Sequence, residues 1–540
     1  MLYFDCNCEV GPRNGKDVAA PWSTRDVLRW MDRCGIAGAL VTHTLSYAND
    51  PVSAREYLAR EIRLAPKRLF PVWVAVPPDA GDAEATPAEL LNKMARANVR
   101  AVRLYPKTHN WPIAMDVIGP TLAALEKAGV LTILPFTELP DSGAGGPSYG
   151  AYEKLSEICT RFPKLPILLQ GVWWSSQRTI TALMTRHANL HIEFSCYQIN
   201  RGIEEYTRRF GAERLLFGTG LPSMSAGAAR AYVDYAPVSP ADKAKIAGGN
   251  LTRLLGGLSP VPAPRLKPDP IRARAAAGKP LSNVPVYDGH CHVLAENMHS
   301  AGGVVMLHGD AKGLIGVKDL IGVRKTALMS WVGPVASEPD LGNDIVLNAV
   351  KRHPKRFWGL ATINPTHVAP ARMRSELRRL VDREGFVGLK PYLRIGVKYS
   401  DRLYAPCWEF AEERGLYSLL HIGGPAGGMD VVKDLAKTYP TAQWVVAHTG
   451  GSFGMARDVV AGMKLHQNIW AELTLTPVTN GVIEWMVSEV GDDRILFGTD
   501  APMRDPRPQF GWVAWADLPL ESRKRILGAN YMRLLSMRRT

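Results

Sequence analysis

The chain has no apolar run approaching the roughly 18 residues that a membrane-crossing helix needs, so no transmembrane segment is expected along its 540 residues. It is poor in cysteine, with seven in all. That odd, thinly spread set excludes a disulfide-stapled scaffold and points to free thiols in a reducing cytoplasm. The opening stretch MLYFDCNCEVGPRNGKD turns polar at once. It lacks the basic-then-apolar order of a signal peptide. Net charge is +14, yet no dense basic stripe appears. The clearest cluster, RLKPDPIRARAAAGKP at 265–280, reads as a linker. Nucleic-acid recognition concentrates Lys and Arg on one face, so neither nucleic acid nor membrane is an expected partner. Dispersed positive charge favours the steering of small anionic substrates instead.

What the chain does have is repetition. ERLLFGTGLP at 213–222 matches DRILFGTDAP at 493–502, and APKRLFPVWVAVPP at 65–78 matches HPKRFWGLATINP at 353–365. LHIEFS at 190–195 matches NIWAEL at 468–473, and GGNLTRLL at 248–255 matches LGANYMRLL near the end of the chain. The order is the same in both halves, as in a duplicated domain. The expected domains are 1–255 and 285–540, joined by a Pro- and Arg-rich link at 256–284. Each copy is about 250 residues, the usual size of an eight-stranded βα barrel. The second copy supplies eight short apolar runs with helical segments between several of them, which argues for a parallel sheet with crossover helices. The expected fold class is α/β, as two tandem TIM-type (β/α)8 barrels.

Several of these runs end in a polar group that a buried parallel strand should not carry. VPVYDGHCHV ends in His290 and His292, and the later runs carry Lys390, His421, His448 and Asp500. The C-terminal strand ends of such a barrel form its active-site mouth. His290 and His292 lie two apart on a strand, hence on one face. A single buried histidine is commonly a hydrogen-bonded core residue. Four imidazoles and a carboxylate gathered together need a cation or a polar network to satisfy them.

DGHCHV, LLHIGG, VVAHTGG and FGTDAP together resemble the strand-end motifs of the amidohydrolase superfamily. They are most similar to its amidohydrolase-related branch, which includes aminocarboxymuconate-semialdehyde decarboxylase and pyrone-dicarboxylate lactonase. The resemblance implies that His290, His292, His421 and Asp500 hold one divalent metal, zinc first and manganese second. It implies that His448 contacts the activated water or the substrate, and Asp500 is then the natural general base. Lys390 is read as a binder of a substrate carboxylate; a structural salt bridge and a carbamylated metal bridge are the other readings. The implied activity is that of a metal-dependent hydrolase, acting on a C–N or C–O bond of a small anionic amide or lactone through a metal-activated water. The alternative is a metal-dependent, non-oxidative decarboxylase of an aromatic or unsaturated acid. A non-catalytic binding protein is the third reading.

The first copy lacks this set. Asn7 and Glu9 stand where His290 and His292 stand; Pro135 replaces His421, Gln170 replaces His448, Gly220 replaces Asp500, and Arg103 takes the place of Lys390. Copy one is therefore expected to keep the fold without the metal. It is read as the partner in an intramolecular pseudo-dimer of barrels, lending a loop such as 138–150, with further homo-oligomerisation left open. A metal-free pocket lined by Arg103, Trp173 and Trp174, and an inert domain, are the alternatives. Glu193 and Glu472 recur in both copies and are assigned a structural role.

Overall fold

The computed structural model describes residues 1–539 apart from 14–16, 79, 80, 82, 140–148, 265–268, 334–337, 392–394, 475 and 476. Most of the loop 138–150 therefore lies outside the described residues. The chain divides into two compact units, Met1–Lys267 and Pro268–Thr540. None of the described helices is long and apolar enough to cross a membrane.

The first unit is an eight-stranded sheet in sequential order: β1 (Tyr3–Val10), β2 (Ile36–His43), β3 (Leu69–Ala75), β4 (Ala101–Leu104), β5 (Leu131–Pro135), β6 (Ile167–Gln170), β7 (Leu190–Glu193) and β8 (Leu215–Leu216). Each strand pairs in parallel with the next. The sheet closes on itself because Cys6 N donates to Phe217 O at 2.9 Å and Glu9 N to Leu221 O at 2.9 Å. The helices between strands carry their own stop signals. The helix Thr24–Cys34, for example, opens on a Ser23–Asp26 capping box and ends at Gly35, whose φ of 63° is left-handed.

The second unit repeats this plan with β9 (Val286–Val293), β12 (Val323–Ser330), β13 (Phe357–Ala361), β14 (Gly388–Leu389), β15 (Tyr417–Leu420), β16 (Gln443–Val446), β17 (Ile469–Leu473) and β18 (Ile495–Phe497). A hairpin of β10 (Ser300–Ala301) and β11 (Val304–Val305) is inserted after β9. Closure again runs through the backbone: Asp500 N donates to His290 O at 2.8 Å and His292 N to Ala501 O at 2.7 Å. Both units are thus (β/α)8 barrels in tandem. Inside the expected link, Asp269 caps a short helix, Pro270–Ala276, by accepting from Ile271 N and Arg272 N.

The interior of the second barrel is filled by Met329, Leu360, Tyr417, Leu419, Val445, Trp470, Leu496 and Tyr531. This layer decides what stands above it. A strand side chain repeats its direction every second residue. Leu419 in the core therefore directs His421 inward at the mouth, and Trp470 directs Glu472 inward.

Candidate metal centre

Three atoms converge at the mouth of the second barrel. Asp500 Oδ1 lies 3.5 Å from His290 Nε2 and 3.4 Å from His292 Nε2, with all three side chains buried. Their other polar atoms are engaged elsewhere. His292 Nδ1 lies 3.3 Å from the Ser330 carbonyl, which only accepts, so Nδ1 carries the hydrogen. His290 Nδ1 lies 3.1 Å from Glu472 Oε2. Burial, reinforced by the Lys390 charge, holds the His290 pKa well below the ordinary imidazole value. In the neutral ring Nδ1 bears the proton, and Nε2 offers a lone pair. Two lone pairs and a carboxylate oxygen facing one another in a buried site fit a divalent cation.

Asp500 Oδ2 is taken by Arg504 Nη1 at 2.5 Å. Burial alone would raise the Asp500 pKa. The contact with His292 and the positive charge of Arg504 outweigh it and hold the carboxyl well below its usual range. The backbone at Asp500 is left-handed, with φ 54°. This is an uncommon conformation for a residue with a Cβ, and such strain collects at functional sites.

His448 shares that left-handed backbone, at φ 64°. Its Nδ1 lies 2.5 Å from Thr474 Oγ1, whose hydroxyl lies 3.1 Å from Glu472 Oε2. Glu472 Oε2 also accepts from His448 N at 3.2 Å. One carboxylate thereby orients both His290 and His448. Gly498 makes room for it: a Cβ there would lie 1.8 Å from Glu472 Oε1. His421 is half-buried, its ring centroid 4.6 Å from that of His448. Burial, with help from Lys390, depresses its pKa to about 3. Among the described residues the two tight groups of ligand-type atoms are His290–His292–Asp500 and His290–His448–Glu472; His421 joins neither. Lys390 is fully buried, and its Nζ has no hydrogen-bond partner among the described residues. Burial lowers its pKa to about 8, a fall only partly offset by Asp500 and Glu472.

The structure thus gathers all six residues marked by the sequence at one mouth. Three others were not marked for the site. Arg504 is visible in the sequence only as a basic residue four positions after Asp500. Thr474 carries no signal. Glu472 stands out in the sequence only through its recurrence as Glu193, but its contact with His290 goes beyond supporting the fold.

The first barrel repeats the scaffold and not the ligands. Asn7 Nδ2 reaches Glu193 Oε1 at 3.3 Å, as His290 reaches Glu472. Thr219 N donates to Asp5 Oδ1 at 3.0 Å, as Thr499 N does to Asp288 Oδ1 at 3.0 Å. The register corrects one match. Gly171 N donates to Glu193 Oε1 at 2.7 Å, and Gly171 has φ 63°. Gly171, rather than Gln170, therefore occupies the place of His448. Gln170 instead donates through Nε2 to Cys6 O at 2.6 Å.

Comparison with known proteins adds a family. The amidohydrolase family model matches residues 47–257 and again residues 287–536. Among curated proteins, none matches the chain. Among solved structures, the chain is similar to 2,6-dihydroxybenzoate decarboxylase from Rhizobium, with 16% identity over 47% of this chain and 99% of that one and a TM-score of 0.38. It is also similar to 5-carboxyvanillate decarboxylase from Novosphingobium aromaticivorans, solved with manganese, with 15% identity over 48% of this chain and 98% of that one and a TM-score of 0.38. With the family model matching twice and the greater part of the sequence covered, this chain belongs to the amidohydrolase family.

Proposed function

We propose that the second barrel is a metal-dependent hydrolase of a C–N or C–O bond in a small anionic amide or lactone. The observation that carries this reading is the convergence of Asp500 Oδ1 with the Nε2 atoms of His290 and His292, together with a buried Lys390 whose Nζ has no partner among the described residues. Those three residues, together with His421 just after β15, would hold one divalent ion. Imidazole and carboxylate donors suit zinc, with manganese as the alternative. When bound, such an ion supplies Lewis acidity and brings water toward a pKa near 7.

The chain's own groups do the rest. Lys390 holds a substrate carboxylate as an ammonium. Its pKa of about 8 leaves it mostly charged at neutral pH. Asp500 accepts the proton of the attacking water, and Arg504 on Oδ2 keeps the carboxylate from retaining it. His448 is neutral, its pKa held well below the ordinary value by burial and by His421. With Nδ1 committed to Thr474, its Nε2 is the atom that takes the proton onward to the leaving group.

A second reading is favoured by the same Arg504 contact. A carboxylate capped by guanidinium is a poor base, and a decarboxylase has less need of one. Assay of the metal-loaded protein on a panel of lactones, amides and aromatic acids in ¹⁸O-water separates the two. Hydrolysis places solvent oxygen in the product. Release of CO2 with no solvent oxygen in the organic product identifies the carboxy-lyase. No turnover on either class with metal bound argues for the binding-protein reading. We further propose the intramolecular pseudo-dimer of barrels and a cytoplasmic location. Full turnover by residues 268–540 alone would count against the pseudo-dimer.

A further inference from the structure

The first barrel lacks the ligand set of the second but holds a buried guanidinium at its mouth, and we propose that it binds a small carboxylate on the Nε–Nη2 edge of Arg103, the edge that Tyr105 and Glu9, both on Nη1, leave free. This site is separate from the one proposed for the second barrel and does not depend on it.

Ala101 on β4 belongs to the barrel core. Arg103, two residues on, takes the same inward direction at the mouth end. Its side chain is 2% exposed. Nη1 is engaged: it donates to Tyr105 Oη at 3.1 Å and faces Glu9 Oε1 at 3.7 Å. Nε and Nη2 are both buried and have no partner among the described residues. These two nitrogens form one edge of the guanidinium, with their N–H bonds parallel. That edge is the fork which grips both oxygens of a carboxylate. Buried donors are rarely left unmet, because the cost of desolvating them is not recovered.

The charges nearby point the same way. Arg13 Nη2 bonds Glu9 Oε2, and Arg13 Nε is another buried nitrogen without a partner among the described residues. Two guanidiniums therefore surround the single carboxylate of Glu9. The deeper acids are committed elsewhere. Glu193 accepts from Gly171 N, Ser195 and Asn7, while Asp5 accepts from Asn7 N and Thr219. An incoming anion would complete the balance, and arginine keeps its charge at any ordinary pH. The wall is aromatic. Tyr105 packs edge-on against Tyr47, with ring centroids 5.1 Å apart, and Tyr47 is 45% exposed. A flat acid such as benzoate suits such a wall.

The test is calorimetric titration of the full chain with benzoate, comparing wild type with Arg103→Met and Arg103→Lys. Both variants should weaken binding at least 10-fold, since lysine keeps the charge but not the fork. Unchanged affinity in Arg103→Lys overturns the proposal. So does benzoate binding that is lost in Lys390→Met yet intact in Arg103→Met, because it places the anion in the second barrel. Crystals of the wild-type chain soaked with 4-bromobenzoate provide a check that needs no variant. A bromine anomalous peak beside Arg103 is expected, and its absence from a solvent-open first mouth contradicts the assignment.

Discussion

Asp500 divides its two oxygens between two tasks: Oδ1 faces the histidines and Oδ2 faces Arg504. Glu472 acts one layer behind, fixing the tautomer of His290 and, through Thr474, the orientation of His448. Outer partners of this kind tune metal ligands strongly. Glu472→Gln should therefore leave the protein folded and weaken metal affinity by about 10–100-fold, read by competition with a chromogenic chelator. Unaltered affinity would return Glu472 to a purely structural role. His448→Ala should keep its metal and lose about 10²–10⁴-fold in turnover, the usual worth of a positioned proton carrier. Activity equal to the parent would make His448 a core histidine.

At the scale of elements, the strands place the site and the caps secure the edges. The helix Pro270–Ala276 depends on Asp269, which caps it and pairs with Arg272 and Arg523. Burial would raise the Asp269 pKa, but the Arg523 contact, the Arg272 amide and the neighbouring charges lower it from 3.8 to about 2. A depressed carboxyl pKa gives stability that is present above the unfolded value and lost as the pH falls through the folded one. Asp269→Ala should thus cost about 1–2 kcal/mol near neutrality. The difference should shrink between about pH 4 and pH 2, as urea midpoints measured across that range would show. A constant difference would mean that the carboxylate charge is not involved.

The strand ends were the legible part of these elements. His290, His292, His421 and Asp500 interrupt apolar runs where a buried strand has no reason to carry them, so their place at one mouth could be read before any coordinates, while the sequence gives no sign that His421 stands apart from the tight group of the other three. The alignment of Gln170 with His448 missed by one residue for a physical reason. The chain turns left-handed just after β6 and β16, a bend that glycine takes freely and that His448 takes under strain. Residue type and spacing carry no mark of that bend. Arg504 and Thr474 were equally silent, because each gains meaning only through a contact across the mouth.

For the whole molecule, duplication left two copies of one scaffold, and among the described residues the tight groups of ligand-type atoms lie in the second copy. Equivalent bonds persist in both barrels. Asn250 Nδ2 donates to the carbonyls of Ala212 and Leu215, and Asn530 Nδ2 to those of Asp492 and Ile495. This was legible in the sequence because buried contacts constrain residue type at both copies. The linker was less so: a Pro- and Arg-rich composition resembles flexible chain, and the helix within it becomes apparent only through its cap and the Arg523 pair. Only the second barrel is expected to hold metal. Elemental analysis of the full chain tests it most directly, alongside His292→Ala and Glu9→Gln. About one divalent ion per chain is expected, lost in His292→Ala and retained in Glu9→Gln. Two tightly bound ions per chain, or one ion that survives His292→Ala and leaves with Glu9→Gln, would contradict it.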